Sequence, residues 1–207
     1  MKITEKMKGR LILLLTFAFI LVILIIWGFS IKSLFIILSY ILFICLIVEI
    51  QVIYEKNVMY KDEVTPIYSR KKLKVDLDKM IKLDKPFAIA YIDFRKFKYI
   101  NDTYGHAVGN IFLNEFGVEL NKLSSNFVSY RNGGDEFIVI IKDYTNINEK
   151  IKKLFDFKVK YKDVVLRYNA GIALYPIHGK TADVLLSSAD SAMYNAKKMD
   201  IEYYIAE

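Results

Sequence analysis

Cysteine is almost absent from this chain. Of 207 residues only Cys45 carries a thiol, and it lies inside an apolar run. An intrachain disulfide is therefore impossible and a multi-cysteine metal site is excluded. Histidine is nearly as scarce: His106 and His178 have no metal-ligand spacing between them, and each reads as a hydrogen-bonded structural residue. A phosphate-binding P-loop is missing too. Gly179-Lys180-Thr181 has the tail of one, but Leu174 stands where the leading glycine belongs. Tyrosine and phenylalanine are abundant but do not alternate with basic residues as on a single-strand binding platform, so nucleic acid is not an expected partner. No internal repeat or low-complexity segment is present.

Apolar residues are in excess. The chain is 54% hydrophobic with a formal charge of +7, and its mean hydropathy is +0.25, too high for one soluble domain. The excess sits at the N-terminus. Leu11 to Phe29 is an uncharged run long enough to cross a bilayer of roughly 30 Å as a helix. Ser30-Ile31-Lys32-Ser33 interrupts it, and a second run from Leu34 to Val48, extending to Ile53, follows. No small-residue cleavage site follows the first run, which disfavours a signal peptide. Two transmembrane helices are expected. Lys2, Lys6, Lys8 and Arg10 precede the first, and Lys56, Lys61, Arg70, Lys71, Lys72 and Lys74 follow the second, whereas the loop between has only Lys32. The positive-inside rule then puts both ends in the cytoplasm, in a multi-pass protein of the inner membrane. The connecting loop is too short to hold a ligand-binding domain.

The division expected is 1–53 as a two-helix anchor, 54–61 as a helical stalk, and 62–207 as one soluble domain of about 150 residues. Asp62-Glu63-Val64-Thr65-Pro66 marks a turn, and the spacing of Leu73, Leu77, Met80 and Ile81 predicts a helix over Ile67 to Lys82. Phe87 to Ile92 is a nearly continuous apolar run, as in a strand buried on both faces, and it ends on Asp93. Phe97 to Asp102 predicts a short helix, Gly105 leads into a helix ending near Lys122, and Asn146 to Phe155 reads as a surface helix. Val164 to Tyr175 predicts one long strand. Thr181 caps a helix over Ala182 to Lys198 whose inward face is Leu185, Ala189, Ala192, Met193 and Ala196, and Glu202 to Ile205 predicts a last strand. Between these lies Phe127 to Ile141, two apolar runs joined through Asn132-Gly133-Gly134, which predicts a tight β-hairpin. The class is α+β, an antiparallel-centred sheet with packed helices.

The hairpin tip carries two adjacent acids, Asp135 and Glu136. Alternation sends their side chains to opposite faces unless the turn bends them together. Bare glycine backbone beside acids suits a metal or phosphate site, and an exposed acidic turn is the alternative. Asp93, at the end of a core strand, is an expensive place for a charge without a partner. Asp93 and Asp135 converging from neighbouring strands suit a Mg²⁺ ion carrying nucleoside triphosphate, and Lys98 stands where it could reach a phosphate.

The stretch Asp93-Phe94-Arg95-Lys96-Phe97-Lys98-Tyr99-Ile100-Asn101-Asp102, followed by Gly105-His106 and Gly109, resembles the first signature of the GGDEF domain of bacterial diguanylate cyclases. Gly133-Gly134-Asp135-Glu136-Phe137 matches the family's name-giving signature letter for letter. Asp62-Glu63-Val64-Thr65 with Arg70 resembles its entry motif, and Ala170 to Ala173 and Ala189 to Met193 its tail motifs. The resemblance covers Asp62 to Ile205. It implies a polymerase-palm-like fold that condenses two GTP into cyclic di-GMP in a homodimer, each subunit holding one GTP with two Mg²⁺ (or Mn²⁺) ions. Carried over, it implies that Asp93, the Phe94 carbonyl and Asp135 bind metal. Glu136 would bind the second ion or assist deprotonation, Lys98 and Lys197 would meet phosphate beside Gly133 and Gly134, and Asn101 and Asn110 would read the base.

The departures are specific. Arg95 stands where the family has Asp, Asp200-Ile201 where it has Gly-Arg, and Ser124 and Phe127 replace the Arg and Asp of its product-inhibition motif. Asn110 replaces an Asp that accepts two guanine donors. An amide offers one acceptor and one donor, closer to the complement of adenine, so ATP is the alternative substrate. A degenerate domain that binds nucleotide without turnover is the non-enzyme alternative.

Overall fold

The structure is a computed structural model that describes residues 5–26 and 30–207. The chain divides into two compact units, Met1–Glu55 and Lys56–Glu207. The first is built from helix α1 (Glu5–Ile26) and most of helix α2 (Ile31–Met59). Among the described residues one helix, Lys32–Met59, is long and apolar enough to cross a membrane by length and composition, with mean hydropathy 2.7. The sequence predicts two. Its first span falls on α1, and the end of that span, Trp27 to Phe29, lies outside the described residues. Of the residues expected as a stalk, 54–59 lie in α2, which ends at Met59.

The second unit is a six-stranded sheet with helices on both faces. Its elements are β1 (Tyr68–Ser69), α3 (Arg70–Leu83), β2 (Phe87–Phe94), α4 (Phe97–Tyr104), α5 (His106–Lys122), β3 (Phe127–Gly133), β4 (Glu136–Ile141), α6 (Ile147–Phe155), β5 (Lys160–Tyr161), β6 (Val164–Val165), β7 (Tyr168–Tyr175), α7 (Ala182–Met199) and β8 (Tyr203–Ile205). The strand order is β1-β3-β4-β2-β7-β8. The inner pairings β3/β4, β4/β2 and β2/β7 are antiparallel, while the edge strands β1 and β8 join in parallel. The sheet is thus antiparallel at its centre, as expected, and mixed overall.

β2 lies between β4 and β7, which explains its unbroken apolar run. Ala88, Ala90, Ile92 and Phe94 face a core completed by Phe112, Phe116 and Leu120 of α5. Phe87, Ile89 and Tyr91 face a second core with Leu73 and Leu77 of α3 and Leu185, Ala189 and Met193 of α7. The five α7 residues expected to face inward are all buried.

Three expectations are corrected. The helix predicted from Ile67 begins at Arg70, because Tyr68 and Ser69 pair in parallel with Tyr130 and Arg131. The strand predicted over Val164 to Tyr175 is two strands: Val164–Val165 folds back on Lys160–Tyr161 through Lys162, whose φ is 52°. The surface helix α6 is half internal, since Ile151 and Leu154 are fully buried.

Gly171 on β7 sets how closely α7 packs. A Cβ there would lie 1.9 Å from the Ala189 carbonyl oxygen and 2.1 Å from the Met193 nitrogen, both backbone atoms. Gly171→Ala should therefore push α7 off the sheet and lower stability by about 1–3 kcal/mol, read by urea denaturation.

Candidate functional site

The hairpin β3–β4 turns through Gly134 and Asp135. Gly133 has φ +148° and Gly134 φ +52°, with no atom within 4 Å of a hypothetical Cβ at either. Glycine is needed there for backbone freedom, not for space. The Arg131 guanidinium fastens the turn: Nε and Nη2 donate to the Gly134 carbonyl at 3.0 and 2.7 Å, and Nη1 donates to Asp62 Oδ1 at 3.2 Å. That same Asp62 oxygen accepts from the Val64 and Thr65 amides and the Thr65 hydroxyl. Burial opposes ionisation of Asp62, but the Thr65 and Arg131 bonds outweigh it and hold its pKa below the ordinary value. The Asp62 turn is thus the other half of a clasp on the hairpin tip.

Asp93 and Glu136 are register partners across β2 and β4, which puts their side chains on one face within about 5 Å at Cβ. That face is the one covered by α7, and Lys197 in its last turn forms an ion pair with Asp93 Oδ2. Asp135 joins the cluster electrostatically. Burial pushes the Asp93 carboxyl up, Lys197 pulls it down, and Asp135 and Glu136 push it up again, the net being upward. Asp135 is also raised, by burial first and by Glu136, against Lys197 and Arg131. Three acids share this corner with one lysine.

Glu136 is held by two side chains outside the expected site residues, Tyr91 and Asn132. Its Oε2 accepts from Tyr91 Oη at 2.9 Å and from Asn132 Nδ2 at 2.9 Å, and Asn132 Nδ2 also lies 3.1 Å from Tyr91 Oη. Burial, then Glu136 itself, raises the Tyr91 pKa, so the phenol stays a donor. A polar-tipped residue inside an otherwise apolar run, on the same strand face as Asp93, is the available sequence signal.

Phe94 closes β2 with its ring against Phe97, Phe116 and Phe137, leaving only its backbone for a ligand. Lys98 is exposed on α4 and makes no ion pair among the described residues. The Asn101 amide packs on α5, its Oδ1 only 2.0 Å from where a Gly109 Cβ would be. Asn110 is next along α5 and exposed. Among the described residues no hydrogen bond or ion pair joins Lys98, Asn101 or Asn110 to the acidic corner. Nor do three His, Cys, Asp or Glu side chains there stand close enough to enclose a metal unaided.

Two of the departures belong together. Arg95 Nη1 donates to Asp200 Oδ1 at 2.5 Å and Nη2 to the Ile201 carbonyl at 3.2 Å, while Nε donates to Oδ1 of the fully buried Asn169 at 2.7 Å. The new arginine just after β2 is the partner of the new aspartate just after α7. Phe127 is buried in the core beside α5, so that position carries no polar group. His178 Nδ1 accepts from the Leu174 amide at 3.0 Å, a structural role as expected. His106 departs from expectation: it is exposed at the start of α5 and makes no side-chain hydrogen bond among the described residues.

The chain matches the family described as Diguanylate cyclase, GGDEF domain, over residues 59–201. It is 34% identical over 152 residues to the diguanylate cyclase DgcP of Escherichia coli, covering 67% of this chain and 45% of DgcP. It is 33% identical over 135 residues to the bifunctional diguanylate cyclase/cyclic di-GMP phosphodiesterase MucR of Pseudomonas aeruginosa, covering 61% of this chain and 20% of MucR. The chain thus spans less than half the length of either relative. Among solved structures, the GGDEF domain of TpbB (YfiN) from Pseudomonas aeruginosa superposes with TM-score 0.61 at 27% identity, over 68% of this chain and 97% of that one. The coiled coil and GGDEF domain of DgcB from Caulobacter crescentus, in complex with c-di-GMP, gives TM-score 0.69 over 84% of this chain and 98% of that one; at 17% identity it speaks for the fold. The signatures on β2, α4 and the β3–β4 hairpin, the fold around them and the family match agree: this chain belongs to the GGDEF domain family of diguanylate cyclases.

Proposed function

We propose that residues 62–207 form a nucleotidyl cyclase that condenses two GTP into cyclic di-GMP with Mg²⁺ or Mn²⁺, across a homodimer. In this reading residues 1–53 are a two-helix membrane anchor with both ends cytoplasmic, and residues 54–61 are its stalk. The observation that carries the proposal is the acidic corner, with Asp93 and Glu136 in register, Asp135 beside them and Lys197 paired with Asp93. The relatives named diguanylate cyclase support it.

The donor set fits a divalent cation. Two of the three acids have raised pKa values even with Lys197 and Arg131 acting on them, so added positive charge is favourable there. Magnesium is ordinarily held by one or two carboxylates plus substrate phosphates, so a ready-made three-ligand cage is not required. When bound, the cation supplies charge at the transferring phosphoryl group and acidifies the attacking hydroxyl. Asp93, Asp135 and the Phe94 carbonyl hold it, and Glu136 serves the second ion or the departing proton. Lys98 and Lys197 neutralise triphosphate charge, and the bare backbone of Gly133 and Gly134 admits the phosphates closely. Each 3′-hydroxyl oxygen bonds to the other nucleotide's α-phosphorus as the bond to pyrophosphate breaks, and the hydroxyl proton is lost.

Asn101 and Asn110 read the base. Asn110 is exposed and free to meet a ligand, and its amide favours a second reading in which adenine is accepted. The test is incubation of purified protein with Mg²⁺ and equal GTP and ATP, with products identified by mass spectrometry. Cyclic di-GMP alone supports the first reading, and an adenine-containing product supports the second. Nucleotide bound without product overturns the cyclase. Asn110→Asp should raise the preference for GTP over ATP by about ten- to a hundredfold, since a mismatched buried polar pair costs roughly 1–3 kcal/mol.

A further inference from the structure

We infer that Tyr91 and Asn132 act as a clamp that fixes one carboxylate oxygen of Glu136, so that only its other oxygen is presented to the catalytic corner. The inference rests on the cyclase reading for what that oxygen does, but its geometry stands alone. Tyr91 and Asp93 are two apart on β2 and share a face. The register Tyr91↔Ile138 and Asp93↔Glu136 makes Tyr91 the diagonal neighbour of Glu136, a separation that a long aromatic side chain spans.

The three polar groups close a triangle with sides of 2.9, 2.9 and 3.1 Å. Every side has a donor and an acceptor. The Asn132 amide nitrogen donates to both Glu136 Oε2 and Tyr91 Oη, and the phenol donates to Glu136 Oε2. Oε2 thereby accepts from two donors, while among the described residues no hydrogen bond engages Oε1. The clamp comes from two elements, since Tyr91 is on β2 and Asn132 is on β3 just before the glycines. Asn132 sits at the register shift between Arg131 and Gly133, where the bulge aims its side chain away from the regular alternation. Tyr91 and Asn132 also line a cavity of about 500 Å³ between α3 and α7, so the clamp stands at the edge of the core, where its loss leaves packing largely intact. Tyr91 and Asn132 touch no substrate in this assignment. They are positioning residues, acting through Glu136.

The experiment compares wild type with Tyr91→Phe, Asn132→Ala, Glu136→Ala and the Tyr91→Phe/Glu136→Ala double variant in the full-length protein. Mn²⁺ affinity is read by electron paramagnetic resonance, GTP turnover by product formation and folding by thermal denaturation. Outer partners of a metal-binding carboxylate typically contribute 10- to 100-fold to metal affinity or activity. Tyr91→Phe and Asn132→Ala should therefore each weaken Mn²⁺ binding or kcat by about tenfold or more, with KM for GTP within about twofold of wild type. In the Glu136→Ala background Tyr91→Phe should have no further effect, which a merely structural tyrosine would not obey. Wild-type affinity and turnover in both clamp variants, or an undiminished effect of Tyr91→Phe without Glu136, overturns the clamp. Absence of turnover in wild-type protein that binds Mn²⁺ overturns the cyclase reading instead, and the clamp then stands or falls on the affinities.

Discussion

Asp135→Ala should abolish product formation while leaving the domain folded. Asp135 sits in the turn between Gly134 and Glu136, not in a strand, so its side chain supports no ladder pairing and no core packing. Its pKa is raised, by burial first and by Glu136, so the folded state disfavours its charged form. For such a group the native state binds its proton more tightly than the unfolded chain. Its contribution to stability is therefore greatest below the ordinary carboxylate pKa and is lost as pH rises through the raised value. At neutral pH the charge is a burden that alanine removes, and the melting temperature of Asp135→Ala should equal or exceed that of wild type. Its loss in activity is of another size. Metal-borne charge stabilisation is worth several kcal/mol in the transition state, and each 1.36 kcal/mol is tenfold in rate, so turnover should fall about a thousandfold or more. Retained turnover in a well-folded variant would remove Asp135 from the catalytic assignment. A collapse in melting temperature would mean that the turn needs the carboxylate structurally.

The readable parts of this fold are those where one physical demand acts alone. β2 is legible because a strand buried on both faces must be apolar throughout, and the β3–β4 hairpin because Gly133 and Gly134 adopt φ values that other residues rarely do. α7 is legible because five inward residues repeat at helical spacing and Thr181 opens the helix. The rest was hidden by competing signals. Tyr68 and Ser69 continue the pattern of the helix after them, and only pairing with β3 draws them into the sheet. The turn between β5 and β6 uses Lys162 at positive φ, with no glycine to announce it. In the site, the acids were legible from their setting, but their partners were not. Tyr91 and Glu136 are 45 positions apart, and Arg95 and Asp200 are 105 apart. Chain order carries no record of such meetings, although an arginine and an aspartate departing from the family pattern together was a usable hint.

Lys197→Met should produce the second large effect, and it should separate two duties of one side chain. In the structure Lys197 pairs with Asp93, whose side chain is 15% exposed while that of Lys197 is 38% exposed. Asp93 is an acid assigned to the proposed metal, so lysine and cation would compete for the same carboxylate. In the proposed cyclase, Lys197 would stand in for the metal while the site is empty and would turn towards the triphosphate once nucleotide and metal are bound. Two consequences follow for the methionine variant. Without metal, Asp93 keeps its burial and its two like-charged neighbours but loses its compensation, so the protein should be less stable by about 1–2 kcal/mol at neutral pH, a figure discounted for the exposure of the lysine. The loss should shrink as pH falls towards the ordinary carboxylate range, because Asp93, already raised in pKa, then takes up a proton instead. Added Mn²⁺ should stabilise the variant more than wild type, because no lysine has to be displaced. Turnover should nonetheless fall by roughly a hundred- to a thousandfold, the usual cost of removing one preorganised group from a developing negative charge. A variant that gains nothing extra from Mn²⁺ would overturn the competition between lysine and metal, whereas one with wild-type turnover would show that Lys197 serves the apo fold alone.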